Sequence, residues 1–95
     1  MNQATEEGWW RFIGLCAGLE KDQLSQVLKI FLTAAEVDDV SMRTLLVGEL
    51  LAGKKTQRQI AADLAISITK ITRGSNELKR VDSHLRAMLE EALIQ

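Results

Sequence analysis

The chain contains no proline, a single cysteine and a single histidine. Without proline nothing in the sequence forces a helix to break, and the β-branched residues show no sustained alternation, so helices are the default expectation. One cysteine, Cys16, excludes an intramolecular disulfide. It lies in an apolar stretch, which suits a small core residue better than a nucleophile. His84 stands alone, no metal-ligand spacing is present, and no nucleophile has a base near it in sequence. The reading is therefore of a protein that is not an enzyme, with no metal and no cofactor. No apolar run approaches the roughly 18 residues of a membrane span. The opening residues Met1–Glu7 are polar and acidic, unlike a signal or transit peptide. A cytoplasmic location is expected.

What is present is one domain's worth of chain, 95 residues with 46% apolar and 26% charged side chains. A helical domain this short buries a modest share of its surface and often needs a partner to complete its core. The net charge of −1 conceals a division along the chain. Residues 1–53 carry four Lys/Arg against eight Asp/Glu. Residues 54–80 reverse this, with Lys54, Lys55, Arg58, Lys70, Arg73, Lys79 and Arg80 against Asp63 and Glu77. The remainder has Arg86 against Asp82, Glu90 and Glu91. A basic segment inside an acidic chain is either a surface that faces a polyanion or an ordinary solvated helix face.

Apolar spacing predicts six helices and no strand. Trp9, Phe12, Ile13, Cys16 and Leu19 recur at three- and four-residue intervals, a first amphipathic helix ending near Gly18. Asp22 is positioned to cap a second, with Leu24, Val27, Leu28, Phe31 and Leu32 as its stripe. Thr33 and Glu36 match a capping box that opens a longer third helix through Val37, Val40, Leu46, Val47, Leu50 and Leu51. Gly53 should stop it. Thr56 and Gln59 form a second capping box before a short helix, and Ser67 caps the next, through Ile68 and Ile71 towards Gly74. A last helix starts near Asp82 and carries Leu85, Met88, Leu89 and Leu93. The first two helices are apolar enough on one side to call for a second subunit.

The segment Gln57–Arg73 has the spacing of a helix-turn-helix, which spans about residues 56–75. Two short helices crossing steeply around a minimal turn need apolar residues where Ile60, Leu64, Ile66 and Ile71 stand, and a small one at Ala61. The second helix then turns Ser67, Thr69, Lys70, Thr72 and Arg73 outward, hydroxyls and cations of the kind that phosphates and base edges accept. The turn position usually held by glycine is Ala65, which costs on the order of 1 kcal/mol if its φ is positive.

Certain runs are more specific. Glu49-Leu50-Leu51-Ala52-Gly53, Thr56-Gln57-Arg58 and above all Ile71-Thr72-Arg73-Gly74-Ser75-Asn76-Glu77-Leu78-Lys79 closely resemble the tryptophan repressor family. Weaker agreement at Trp9-Trp10-Arg11-Phe12 and Leu89-Glu90-Glu91 extends the resemblance over nearly the whole chain. It implies an all-α fold of six helices in one DNA-binding domain over residues 1–95, with dimerisation helices at about 6–52 and 82–94 intertwined between two subunits of a homodimer. It also implies a transcriptional repressor that binds palindromic operator DNA when L-tryptophan is its co-repressor.

By the same resemblance the indole lies between Arg43 and Arg73, and Arg73 pairs with the ligand carboxylate. Thr33 adds a hydroxyl, the carbonyls of Ile30 and Leu32 accept from the ammonium, and Gly74 leaves room for the ring. Arg58 is the residue implied for a direct guanine contact, with Gln57, Ile68, Thr69, Lys70 and Thr72 on the DNA face and Arg73 serving both DNA and ligand. Three positions depart from the family pattern. Ala61 replaces a lysine and Lys70 a threonine, which redistributes phosphate contacts. Glu77 stands where a serine is typical; its carboxylate can pair with the ligand ammonium or oppose the ligand carboxylate. Two alternatives stay open on the sequence: a regulator of the same fold answering to another aromatic ligand, and a helical module that binds protein rather than DNA.

Overall fold

The computed structural model describes residues 1–94, all of its regular structure helical: α1 (Gln3–Ala17), α2 (Lys21–Phe31), α3 (Ala34–Ala52), α4 (Gln57–Leu64), α5 (Ile68–Leu78) and α6 (Ser83–Leu93). The fold is all-α, as the spacing predicts. The chain divides into two compact units, Met1–Val37 and Asp38–Gln95.

The first unit contains α1, α2 and the cap of α3. Asn2 starts α1 by accepting the Thr5 N–H on its side-chain oxygen at 2.9 Å. The apolar stripe of α1 meets α2 through Phe12 and Phe31, edge to face with centroids 5.1 Å apart. The start of α2 differs from expectation. Glu20, not Asp22, is the N-cap, because its backbone is extended and Gln23, three residues on, accepts the Glu20 N–H at 3.4 Å; Asp22 lies in the first turn. The box at Thr33 forms as expected: Glu36 N–H donates to the Thr33 hydroxyl at 3.1 Å and Thr33 N–H donates to the Glu36 carboxylate at 2.9 Å. Hydrogen bonding to its carboxylate, from the Thr33 backbone N–H first and the Thr33 side chain second, holds the Glu36 pKa below its usual value. No described residue of this unit is buried. Cys16 is half-buried, while Trp9, Trp10, Leu15, Ile30 and Phe31 are exposed.

The second unit holds a small core. Leu46 of α3, Ile60 of α4 and Ile71 of α5 are buried together, and Leu50, Ala61, Leu64 and Ile66 pack against them. Ile60 and Ile71 are the most enclosed. Each such side chain contributes about 1.5–3 kcal/mol relative to exposure. On α3 and α6 the expected stripes are only partly covered: Val40, Leu85 and Met88 are exposed.

The entry to α4 is fixed twice. Gly53 ends α3 with φ of +65°, a conformation open to glycine. Lys55 then bridges the two helices, its ammonium 3.3 Å from Glu49 of α3 and 2.7 Å from Asp63 of α4. The Asp63 hydrogen bond, followed by that to Glu49, raises the lysine pKa above its ordinary value. Thr56 caps α4 with the predicted box, its N–H donating to Gln59 Oε1 at 2.7 Å and its hydroxyl accepting the Gln59 N–H at 3.1 Å.

Three residues, Ala65–Ser67, carry the chain from α4 to α5. Ala65 has φ of 54° and ψ of 45°, the left-handed region, and Ile66 N–H donates back to the Ala61 carbonyl at 3.2 Å. Ser67 caps α5, accepting the Lys70 N–H at 3.2 Å. This helix continues past Gly74 to Leu78, one turn beyond the expected end. Leu78 is buried and stands seven residues from Ile71, on the same face, so packing outweighs the low helix propensity of Gly74. Asp82 then caps α6, accepting the Leu85 N–H at 2.8 Å.

Candidate nucleic-acid interface and ligand pocket

Helix α5 has three faces, and its register assigns their tasks. Ile71 and Leu78 are buried in the second unit's core. Ile68, Thr69, Thr72, Arg73, Asn76, Glu77 and Arg80 line an open hollow on the solvent side. The residues between those faces border a cleft towards α3. Every residue expected on the DNA face is exposed: Gln57 and Arg58 in the first turn of α4, and Ile68, Thr69, Lys70, Thr72 and Arg73 on α5. The Thr69 and Thr72 hydroxyls, the Lys70 ammonium and the Arg58 and Arg73 guanidinium groups stand there, donors that phosphate oxygens and the acceptor edge of guanine take.

The cleft has a volume of about 550 Å³ and is lined by Asp39, Met42, Arg43, Leu46, Val47, Ile66, Lys70, Arg73, Gly74, Glu77, Leu78 and Val81. That volume lies within the range of about 300–1,000 Å³ usual for small-molecule sites. Its floor is aliphatic and its rim is charged. An aromatic ring can be buried on the first while polar substituents meet the second. Arg43 from α3 and Arg73 from α5 both line the cleft, one from each helix. Gly74 brings the two helices close. A Cβ there would stand 3.2 Å from Leu46 Cδ2 and 3.6 Å from Leu50 Cδ1, so an alanine would press on the core leucine.

Of the residues expected to bind ligand, Arg43, Arg73, Gly74 and Glu77 share this cleft. Ile30, Leu32 and Thr33 belong to the first unit, where Thr33 is the N-cap of α3. Lys70, expected only on the DNA face, also lines the cleft. Asp39, Met42 and Val47 were not anticipated as lining residues. Their signal was available, because positions one to four residues either side of Arg43 share its helix and Asp39 and Val47 share its face. Ile66 and Leu78 read from sequence as apolar positions alone.

The charges in the cleft are unusual in being open. Asp39 and Arg43 are spaced i, i+4 on α3, and Arg73 and Glu77 are spaced i, i+4 on α5, the separation at which opposite charges normally close. Neither pair approaches within ion-pair distance; among the described residues the ion pairs are Arg11–Glu7, Lys55 with Glu49 and Asp63, Arg80–Glu77 and Arg86–Glu90. Glu77 reaches outward to Arg80 at 3.7 Å, with both side chains largely exposed.

A small all-α protein with a three-residue turn between α4 and α5, a cation- and hydroxyl-bearing helix face and a charged-rimmed cleft behind it has the layout of a regulator rather than of a catalyst. Comparison with known proteins gives the same class. Residues 7–93 match the sequence profile of the family described as "Trp repressor protein". The chain is similar to the Trp operon repressor homolog of Chlamydia trachomatis serovar D, 37% identical over 94 residues, covering 98% of this chain and 100% of that one. It is similar also to the Trp operon repressor homolog of Vibrio atlanticus, 33% identical over 95 residues and covering 99% and 97% of the two chains. A third relative, the Trp operon repressor homolog of Xylella fastidiosa, is 34% identical over 79 residues, 83% of this chain and 84% of that one. The chain belongs to the Trp repressor family, and is a regulator of that family. No helix among the described residues is long and apolar enough to cross a membrane.

Proposed function

We propose that this protein is a ligand-responsive transcriptional repressor which, with L-tryptophan bound as co-repressor, binds palindromic operator DNA as a homodimer. The observation that carries the proposal is that α5 has its back to the charged cleft and its front to solvent, with Arg73 lining both. A ligand seated against the back of α5 fixes the orientation of the front. It favours DNA binding by its differential affinity for the orientation that enters the major groove. Arg43 and Arg73 sandwich the indole, Arg73 holds the carboxylate, and Gly74 leaves the ring its space. Arg58 reads guanine, while Gln57, Ile68, Thr69, Lys70 and Thr72 complete the DNA face.

The homodimer rests on the first unit. Trp10 is 62% exposed, Ile30 79% and Phe31 58%, and no described residue there is buried. Large apolar side chains exposed in this number call for cover, and a second copy is the partner that closed symmetric oligomers supply. An interaction module would cover the same surface. It would have no use for the hydroxyls and cations on the front of α5.

Calorimetric titration with L-tryptophan tests the ligand; Trp9 and Trp10 complicate a fluorescence readout. Selection of bound duplexes from a randomised pool, with and without L-tryptophan, tests the DNA. A palindromic sequence should be enriched only with ligand, by a species of twice the protomer mass in sedimentation. Absence of heat at millimolar L-tryptophan overturns the co-repressor assignment and leaves DNA binding standing. Failure to retain any duplex overturns the repressor reading itself. In the Arg58→Ala variant the sequence preference should be lost, and an unaltered preference assigns the guanine contact elsewhere.

A further inference from the structure

Lys55 belongs to the basic segment by sequence, but its charge is already engaged. Its ammonium lies 2.7 Å from Asp63 and 3.3 Å from Glu49. Both carboxylates stand in the last turn of a helix, Glu49 in α3 and Asp63 in α4, and neither turn carries a basic residue of its own. A carboxylate there faces the negative end of the helix dipole, so each position is locally unfavourable and one cation relieves both. Among the described residues, the ion pairs Arg11–Glu7, Arg80–Glu77 and Arg86–Glu90 close over three or four residues of chain. Only those of Lys55 reach from one helix to another.

Lys55 immediately precedes the Thr56 cap, and Gln57 and Arg58 follow in the first turn of α4. The link into α4 begins at Gly53, whose φ of +65° marks a backbone free to take other orientations. Ile60 of α4 is buried with Leu46 of α3, but apolar burial is non-directional and sets the approach of the helices rather than their angle. The two bonds of Lys55 are directional. They hold both the chain entering α4 and the last turn of α4 against the last turn of α3. We propose that Lys55 is a positioning residue for DNA reading, a clasp that sets α4 and its Arg58 at one angle to α3, and not a phosphate contact. The proposal rests on the repressor reading above. Base readout needs that angle, because Arg58 must meet a base edge while α5 lies in the groove; attachment along phosphates tolerates many angles.

The test measures affinity of the full-length protein, with L-tryptophan present, for the duplex that selection enriches and for a random duplex of equal length, across a range of salt. Lys55→Met should weaken the enriched duplex about tenfold, about threefold for each subunit of the dimer, the scale of exposed ion pairs. Random-duplex affinity should stay within about twofold, and the salt slope should not change. Asp63→Asn and Glu49→Gln should also weaken the enriched duplex, although each removes a negative charge from a protein that binds a polyanion. Lys55→Met combined with Asp63→Asn should lose no more than Lys55→Met alone, and Lys55→Arg should keep most of the preference. Thermal melts at matched concentration establish that each variant is folded at the assay temperature. Tighter binding by Asp63→Asn, or a salt slope reduced in Lys55→Met by about 0.9 for each subunit, makes Lys55 a phosphate contact and overturns the proposal. Equal losses on the two duplexes, which a merely structural role gives, also overturn it, as do an unchanged affinity in Lys55→Met or losses that add in the double variant. Each of those outcomes leaves the repressor reading standing. A wild type that retains no duplex, or prefers none, overturns both.

Discussion

Replacing Ala65 by glycine should stabilise this protein. Ala65 is held at φ 54° and ψ 45° between α4 and α5, where its Cβ crowds the following carbonyl oxygen. That crowding costs a non-glycine residue about 1–2 kcal/mol. Glycine escapes it, but returns about 0.5–1 kcal/mol through the larger freedom of its unfolded chain. The Ala65 side chain is exposed, so its removal sacrifices little burial. The balance is a gain of about 0.5–1 kcal/mol. Unfolding entropy near 60 °C is about 2.1 cal/mol/K per residue, or about 0.2 kcal/mol/K for 95 residues, so the gain corresponds to about 2–5 °C in Tm. Urea titration and thermal melting at one fixed protein concentration measure it, since the stability of an associating protein depends on concentration. The denaturant slope should not change. Ala65→Val, which adds a β-branch in the same conformation, should move the midpoint the other way by 1 kcal/mol or more. A lower midpoint for Ala65→Gly than for the wild type would mean that the turn relaxes out of the left-handed region in solution, and would refute the strain argument.

Gly74→Ala sets a helix-propensity gain of about 1 kcal/mol against the 3.2 Å approach of the new Cβ to Leu46 Cδ2. Stability should change by less than about 1 kcal/mol while L-tryptophan affinity drops at least tenfold as the cleft narrows; unaltered affinity in titration calorimetry takes Gly74 out of the ligand site. Ile71 is completely buried, so Ile71→Ala should lower stability in urea by about 2–5 kcal/mol, and a loss under about 1 kcal/mol would show that the core between α4 and α5 is not where the second unit derives its stability. The lowered pKa of Glu36 predicts an acid limb. Its contribution is fully present above the ordinary carboxyl value of 4.5 and is lost as pH falls through the native value beneath it. Glu36→Gln should therefore differ from the wild type at neutral pH and converge on it in acid, and a difference that is constant with pH would detach Glu36 from the cap.

The helices were legible along the chain because their causes are local. Thr33 with Glu36, Thr56 with Gln59, Ser67 and Asp82 each satisfy backbone donors within three residues, and Gly53 needs only its own φ. Local information misled where two caps competed, at Glu20 against Asp22, and where a distant contact extended an element. Gly74 reads as a stop, and only the burial of Leu78 keeps α5 intact beyond it. The exposed face of α5 was legible for a related reason, since outward positions on a short amphipathic helix follow from its 3.6-residue period. The alanine in the turn was visible in sequence, but whether it carries strain depended on its φ.

Composition, periodicity and capping chemistry thus determined that this chain is all-helical and which side chains α4 and α5 turn to solvent. Charge spacing alone would have closed Asp39 on Arg43 and Arg73 on Glu77. The tertiary structure decided otherwise. Packing of Leu46, Ile60 and Ile71 sets α3 and α5 on either side of one cleft, so that side chains some thirty residues apart in sequence share one rim.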